Sequence, residues 1–144
     1  MDAFKRQIWE KDNLNLEYSS LNNLQTQHIL YKIEKLCNIS VDSINDATIF
    51  IKICKRLNKE YILLNINEKD GFSDLCSLLK LDMRQTSTVY VVWNYNEIDK
   101  FRASVLHYYW NYIWYGASDE MCLLYFSDIE VLVMITDYGN ILVM

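Results

Sequence analysis

Apolar positions recur at helical spacing through the first half of the chain and gather into short unbroken runs in the second. Residues 2–11 read as a helix, with Phe4, Ile8 and Lys11 on one side and Trp9 beside them. After Ser19-Ser20, an N-cap pair, Leu21, Leu24, His28 and Tyr31 form one line and Ile29, Ile33 and Leu36 an adjoining one. That spacing predicts a helix to about Cys37. A connection over 38–43 leads to a second amphipathic stretch, 45–57. There Ile49, Phe50, Ile53, Cys54 and Leu57 point inward, while Lys52, Lys55, Arg56 and Lys59 take the other side and the last turn, where cations suit the helix dipole.

The period then changes. Residues 60–66 form an apolar run of strand length, broken by Lys69-Asp70-Gly71, and Ser73 opens a short helix carrying Leu75, Leu78 and Leu79. Residues 86–93, rich in β-branched and aromatic side chains, form the clearest strand. A helix over 94–109 is expected next, from Ile98, Phe101, Val105 and Tyr108. Residues 121–126 and 131–136 read as strands, Asp137-Tyr138-Gly139-Asn140 as a turn, and 141–143 as a closing strand. Connections between the last three are too short for crossovers, so they form an antiparallel meander. The expected fold is α+β: one domain over 1–144, a mainly antiparallel sheet of about five strands, helices packed on one face, and a helix-rich N-terminal half.

Composition sharpens this reading. The chain of 144 residues is 51% hydrophobic, with no Pro and three Gly, which excludes a disordered or linker-like protein. No apolar run approaches the ~20 residues of a membrane span, and 1–12 carry charges where a signal peptide would be apolar, so a cytoplasmic protein without a membrane partner is expected. Cys37, Cys54, Cys76 and Cys122 lie far apart among apolar neighbours, as reduced, buried thiols do. The net charge of -5 comes from 19 acids against 14 bases. Beyond Arg102 there is no Lys or Arg, while Asp119, Glu120, Asp128, Glu130 and Asp137 remain. An acidic C-terminal third repels phosphate backbones and attracts basic partners, so nucleic acid is not the expected ligand.

Catalytic patterns are missing. His28 and His107 lie on or beside apolar stripes without a second histidine at i+4, and no serine sits in a G-x-S-x-G context. The isolated glycines build neither a P-loop nor a dinucleotide fingerprint. No catalytic residue, metal site or cofactor is assigned. Paired acids (Asp119 with Glu120, Asp128 with Glu130, Asp70 with Asp74) sit near turns or strand starts, where carboxylates are usually solvated.

The unusual feature is residues 108–115, Tyr-Tyr-Trp-Asn-Tyr-Ile-Trp-Tyr, six aromatics in eight positions. A helix or a strand buries only part of such a run, so these rings either fill two layers of core or form a recognition surface. Tyr and Trp are enriched among interface hot spots, and neighbouring carboxylates select a basic partner. The run continues as Tyr112-Ile-Trp-Tyr-Gly-Ala-Ser-Asp-Glu, then a strand over 121–125, a strand over 131–136 and a glycine turn. This pattern resembles the immunity proteins that accompany bacterial polymorphic toxins and contact-dependent growth inhibition systems, departing from them where Gly116 replaces a proline. The resemblance implies a cytoplasmic inhibitor that occludes the active site of one cognate, basic toxin, such as a nuclease. Its expected contact residues are Tyr112, Trp114, Tyr115, Ser118, Asp119, Glu120, Asp128, Glu130 and Asp137. Two alternatives stand beside it. One is a small enzyme or ligand-binding domain with a pocket of Trp110, Trp114 and Tyr115 and an Asp119 or Glu120 acid–base. The other is a homo-oligomeric subunit pairing through an edge strand at 141–144 or through exposed aromatics.

Overall fold

A computed structural model of the chain describes residues 3–39, 49–57, 61–67, 70–82, 88–115 and 121–144. Among the described residues five helices and seven strands follow one another: α1 (Ala3–Lys11), β1 (Tyr18–Ser20), α2 (Asn23–Cys37), α3 (Ile49–Leu57), β2 (Tyr61–Asn65), α4 (Gly71–Leu78), β3 (Thr88–Asn94), β4 (Glu97–Arg102), α5 (Ala103–Ile113), β5 (Cys122–Phe126), β6 (Val131–Ile135) and β7 (Asn140–Val143). The strands form one antiparallel sheet in the order β1-β4-β3-β5-β6-β7-β2. The α+β class and the C-terminal meander are as expected. The strand count is seven rather than about five.

The two extra strands are β1 and β4. Residues 94–102 form a hairpin arm instead of the expected helix. Asn94 accepts a hydrogen bond from the Asn96 N–H at 3.0 Å and donates to Glu97 at 3.1 Å, which fixes the reversal at Tyr95-Asn96. α5 therefore starts only at Ala103. Ser19 and Ser20 are strand residues, and the cap of α2 is Asn22. Its side chain accepts from the Gln25 N–H while the Gln25 side chain accepts from the Asn22 N–H, a reciprocal box.

Helices cover both faces of the sheet, which corrects the one-face expectation. Along β5, Cys122, Leu124 and Phe126 join one core cluster, Leu123 and Tyr125 the other; β6 and β7 alternate in the same way. The first cluster also takes Trp9 of α1, Phe72 and Leu75 of α4, and Leu106 and Trp110 of α5. The second takes Ile29, Ile33 and Cys37 of α2, and Ile53 and Leu57 of α3. A strand buried on both sides needs two covering layers. α2 turns its Ile29, Leu30 and Ile33 stripe inward, so the line of Leu24, His28 and Tyr31 faces out, with Leu24 77% exposed. β7 lies between β6 and β2, so the closing strand is interior and leaves no edge for pairing with another copy.

Among the described residues Cys37, Cys76 and Cys122 are buried. Burial pushes the Cys37 thiol up to about 11, against a smaller opposing pull from Arg56, and the Cys76 thiol up to about 12. An unfolded thiol ionises near its ordinary value of 9.0 while the folded thiols keep their protons, so both contributions are intact below that value. Stability is therefore predicted to fall as pH rises from about 9 towards 12, measured as a declining urea midpoint. Leu106→Ala and Ile33→Ala, one on each sheet face, are each expected to cost about 2–5 kcal/mol in the same assay. A one-layer protein would lose stability only with the first.

Candidate protein-binding surface

α5 is the middle of its layer, packed against α1 and α4. Its inward residues Leu106, Trp110 and Ile113 enter the core, and Trp110 stacks on Phe72 with ring centroids 5.0 Å apart. Its outward residues are His107, Tyr108, Asn111 and Tyr112, all exposed, with Tyr108 at 79%. His107 meets Tyr108 edge to face at 5.4 Å. The aromatic run is divided by a kink at Tyr109. Tyr108 before it and Tyr112 after it both face solvent, while Trp110 and Trp114 stack in parallel below at 6.5 Å.

The C-terminal end of α5 is held by side chains of α1 and by Asn67, which follows β2. Its last carbonyls lack partners within the helix. Trp9 Nε1 of α1 donates to the Tyr112 carbonyl at 2.8 Å, and Lys5 Nζ to the Ile113 carbonyl at 2.6 Å. Lys5 is only 3% exposed; its ammonium lies 4.4 Å from the Trp93 ring centre and 5.2 Å from that of Tyr115. A cation at this position also complements the negative end of the helix dipole. Beside it, buried Asp99 of β4 accepts hydrogen bonds from Trp93 Nε1 at 2.8 Å and Ser20 Oγ at 2.6 Å. On the other flank Trp114 Nε1 donates to Asn67 Oδ1 at 2.6 Å, and Asn67 Nδ2 donates to the Tyr138 carbonyl at 3.3 Å. That bridge brings the β6–β7 turn, with Asp137 and Tyr138, to the end of α5. Gly139 makes the turn at φ +77, and a Cβ there would sit 2.5 Å from the Asn67 side chain. Tyr138 is 76% exposed.

The expected contact residues are redistributed by this geometry. Tyr112 and Asp137 lie exposed on elements that meet through Asn67. Tyr115 is half-buried beneath Lys5. Trp114 is buried at 4% and anchors Asn67, so it holds the surface up rather than forming it. Trp110 donates its indole N–H to the Ile66 carbonyl at 3.3 Å. Both indoles are therefore buried in the core rather than lining an open cavity among the described residues. Asp128 and Glu130 belong to the β5–β6 turn, at the opposite end of β6 from Asp137, roughly 20 Å away along the strand. Asp128 accepts from the Thr88 N–H at 3.1 Å and the Ser127 hydroxyl at 3.3 Å, a turn-stabilising role. Ser118, Asp119 and Glu120 lie outside the described residues. Sequence reasoning missed Tyr108 and Tyr138 as surface and Lys5 and Asn67 as supports. The helical phase of α5 could have separated Tyr108 from Trp110; nothing local marked the other two.

Among the described residues no group of three or more His, Cys, Asp or Glu side chains is placed to hold a metal ion, and no helix is long and apolar enough to cross a membrane. Asn67→Ala removes the acceptor of a buried indole and the tie to the β6–β7 turn. It is expected to cost about 1–3 kcal/mol in urea unfolding, with faster amide exchange at 137–139 and α5 otherwise intact.

No family model matches the chain, and no curated protein or solved structure matches it either.

Proposed function

We propose that the chain is a non-enzymatic protein-binding inhibitor, an immunity protein that acts in the cytoplasm and neutralises one cognate toxin with a basic surface by covering its active site. The observation that carries this reading is the exposure of Tyr108, Tyr112 and Tyr138 on elements braced from below, with Asp137 beside Tyr138. Tyrosine offers a large contact area at low entropic cost, and a braced backbone loses little further freedom on binding. Carboxylates with no cation nearby in sequence speed the approach of a basic partner. Asp128 and Glu130 fall outside the proposed interface because they occupy the far end of β6.

The test is affinity measurement with the protein encoded by the adjacent gene. One-to-one binding is expected, weakening with added salt, and Tyr108→Ala with Tyr112→Ala should reduce affinity about a hundredfold. Asp137→Lys should slow association, while Asp128→Lys with Glu130→Lys should leave affinity within about twofold. A neighbour without a toxin domain, or a complex indifferent to ionic strength and to both tyrosines, contradicts the reading.

A further inference from the structure

A cleft of about 280 Å³ lies between α2 and the β5–β6 turn, lined by Lys32, Lys35, Leu36, Tyr125 and Glu130. That volume is the share of about nine waters at ~30 Å³ each, which suits a metabolite rather than a segment of a polymer. The walls carry opposite charges. Lys32 and Lys35, three residues apart and so neighbours on the surface of α2, form one side, and Glu130 at the end of the turn forms the other. All three are exposed, and among the described residues no ion pair joins Glu130 to either lysine. Charges of both signs therefore face one cleft without neutralising each other by direct contact.

The remaining two residues supply a donor and an apolar wall. Tyr125 is only 3% exposed, and its ring stacks on Tyr90 at 6.1 Å within the core cluster under α2 and α3. Its polar end is near enough to Glu130 for that carboxylate to raise its pKa, after burial and ahead of Tyr90. The hydroxyl keeps its proton and can donate, yet among the described residues it has no hydrogen-bond partner. A sunken donor left unpaired costs free energy that a bound acceptor recovers. Lys35 stays cationic, because a hydrogen bond to Tyr31, over whose ring it lies at 4.6 Å, raises its pKa. Glu130 holds φ +52, a left-handed conformation that glycine adopts at lower cost, so the carboxylate is kept where the backbone alone favours another residue. Leu36 is half-buried beside it.

We propose that this cleft binds a free aliphatic α-amino acid. Lys32, Lys35 and the Tyr125 hydroxyl take its carboxylate, Glu130 takes its ammonium, and Leu36 packs against its side chain. The opposed walls decide the class. A phosphate ester would meet Glu130 as a like charge, and a simple amine would meet two lysines, whereas a ligand with both signs on adjacent groups satisfies both walls. The cleft lies on the face of the sheet away from α5 and does not rest on the inhibitor reading.

The probe is L-leucine titrated into the full chain and followed by amide chemical shifts. The comparisons are 4-methylpentanoate, which lacks the amine, 3-methylbutylamine, which lacks the carboxylate, and inorganic phosphate. Saturable shifts centred on Lys32, Lys35, Tyr125 and Glu130 are expected with millimolar leucine, and binding about tenfold weaker for each comparison. Glu130→Gln should weaken leucine about tenfold while 4-methylpentanoate binds as well or better. Lys32→Gln with Lys35→Gln should weaken leucine similarly while 3-methylbutylamine binds as well or better. These side chains are exposed, so the variants leave the core untouched, and their own spectra check the fold. No saturable shifts at tens of millimolar leucine, equal or tighter binding of any comparison, or leucine affinity unchanged in both variants would overturn the proposal.

Discussion

Because successive residues of a strand point to opposite sides, and because β5 and β6 carry apolar side chains at nearly every position, this sheet has two faces that must both be shielded from water. That requirement dictates the rest. One layer cannot satisfy it, so α1, α4 and α5 cover one face while α2 and α3 cover the other. The meander β5–β6–β7 sits inside the sheet, flanked by β3 on one side and β2 on the other. What remains exposed is then set by which helix faces are left over.

Polar groups fix the position of the first layer. Lys5 and Trp9 satisfy the last carbonyls of α5, and Asn67 ties Trp114 to the β6–β7 turn. Breaking one partner of such a contact leaves a buried donor or acceptor unpaired, which costs more than the intact bond contributes. The arrangement therefore selects one seating of α5 on the sheet. Its consequence reaches the surface, because the same seating decides that Tyr108 and Tyr112 face solvent while Trp110 and Trp114 do not.

Much of the fold was legible in the pattern of apolar positions. α1, α2, α4 and the strands β2, β3, β5, β6 and β7 all appear where periodicity or strand-length runs placed them. β4 was hidden because Asp99 occupies an inward position, and because Ile98 and Phe101 stand three apart, as on a helix, although they enter opposite core clusters. β1 is Tyr-Ser-Ser, too short and polar to register. In the candidate surface, Tyr112 and Asp137 were legible. The separation of Asp128 and Glu130 from Asp137 also followed from a meander, whose consecutive turns lie at opposite ends. The roles of Lys5 and Asn67 were not legible, since each depends on a residue at least 47 positions away.

The exposed tyrosines of α5, with Tyr138 and Asp137 of the β6–β7 turn, give the molecule an aromatic surface with an acidic neighbour. The inhibitor reading concerns this surface. It is tested most directly by amide hydrogen exchange of the chain, free and bound to the protein encoded beside it. The account predicts new protection at the outward turns of α5 and at 136–139, with 127–130 unchanged. Protection confined to 127–130, with α5 exchanging as in the free chain, would contradict it.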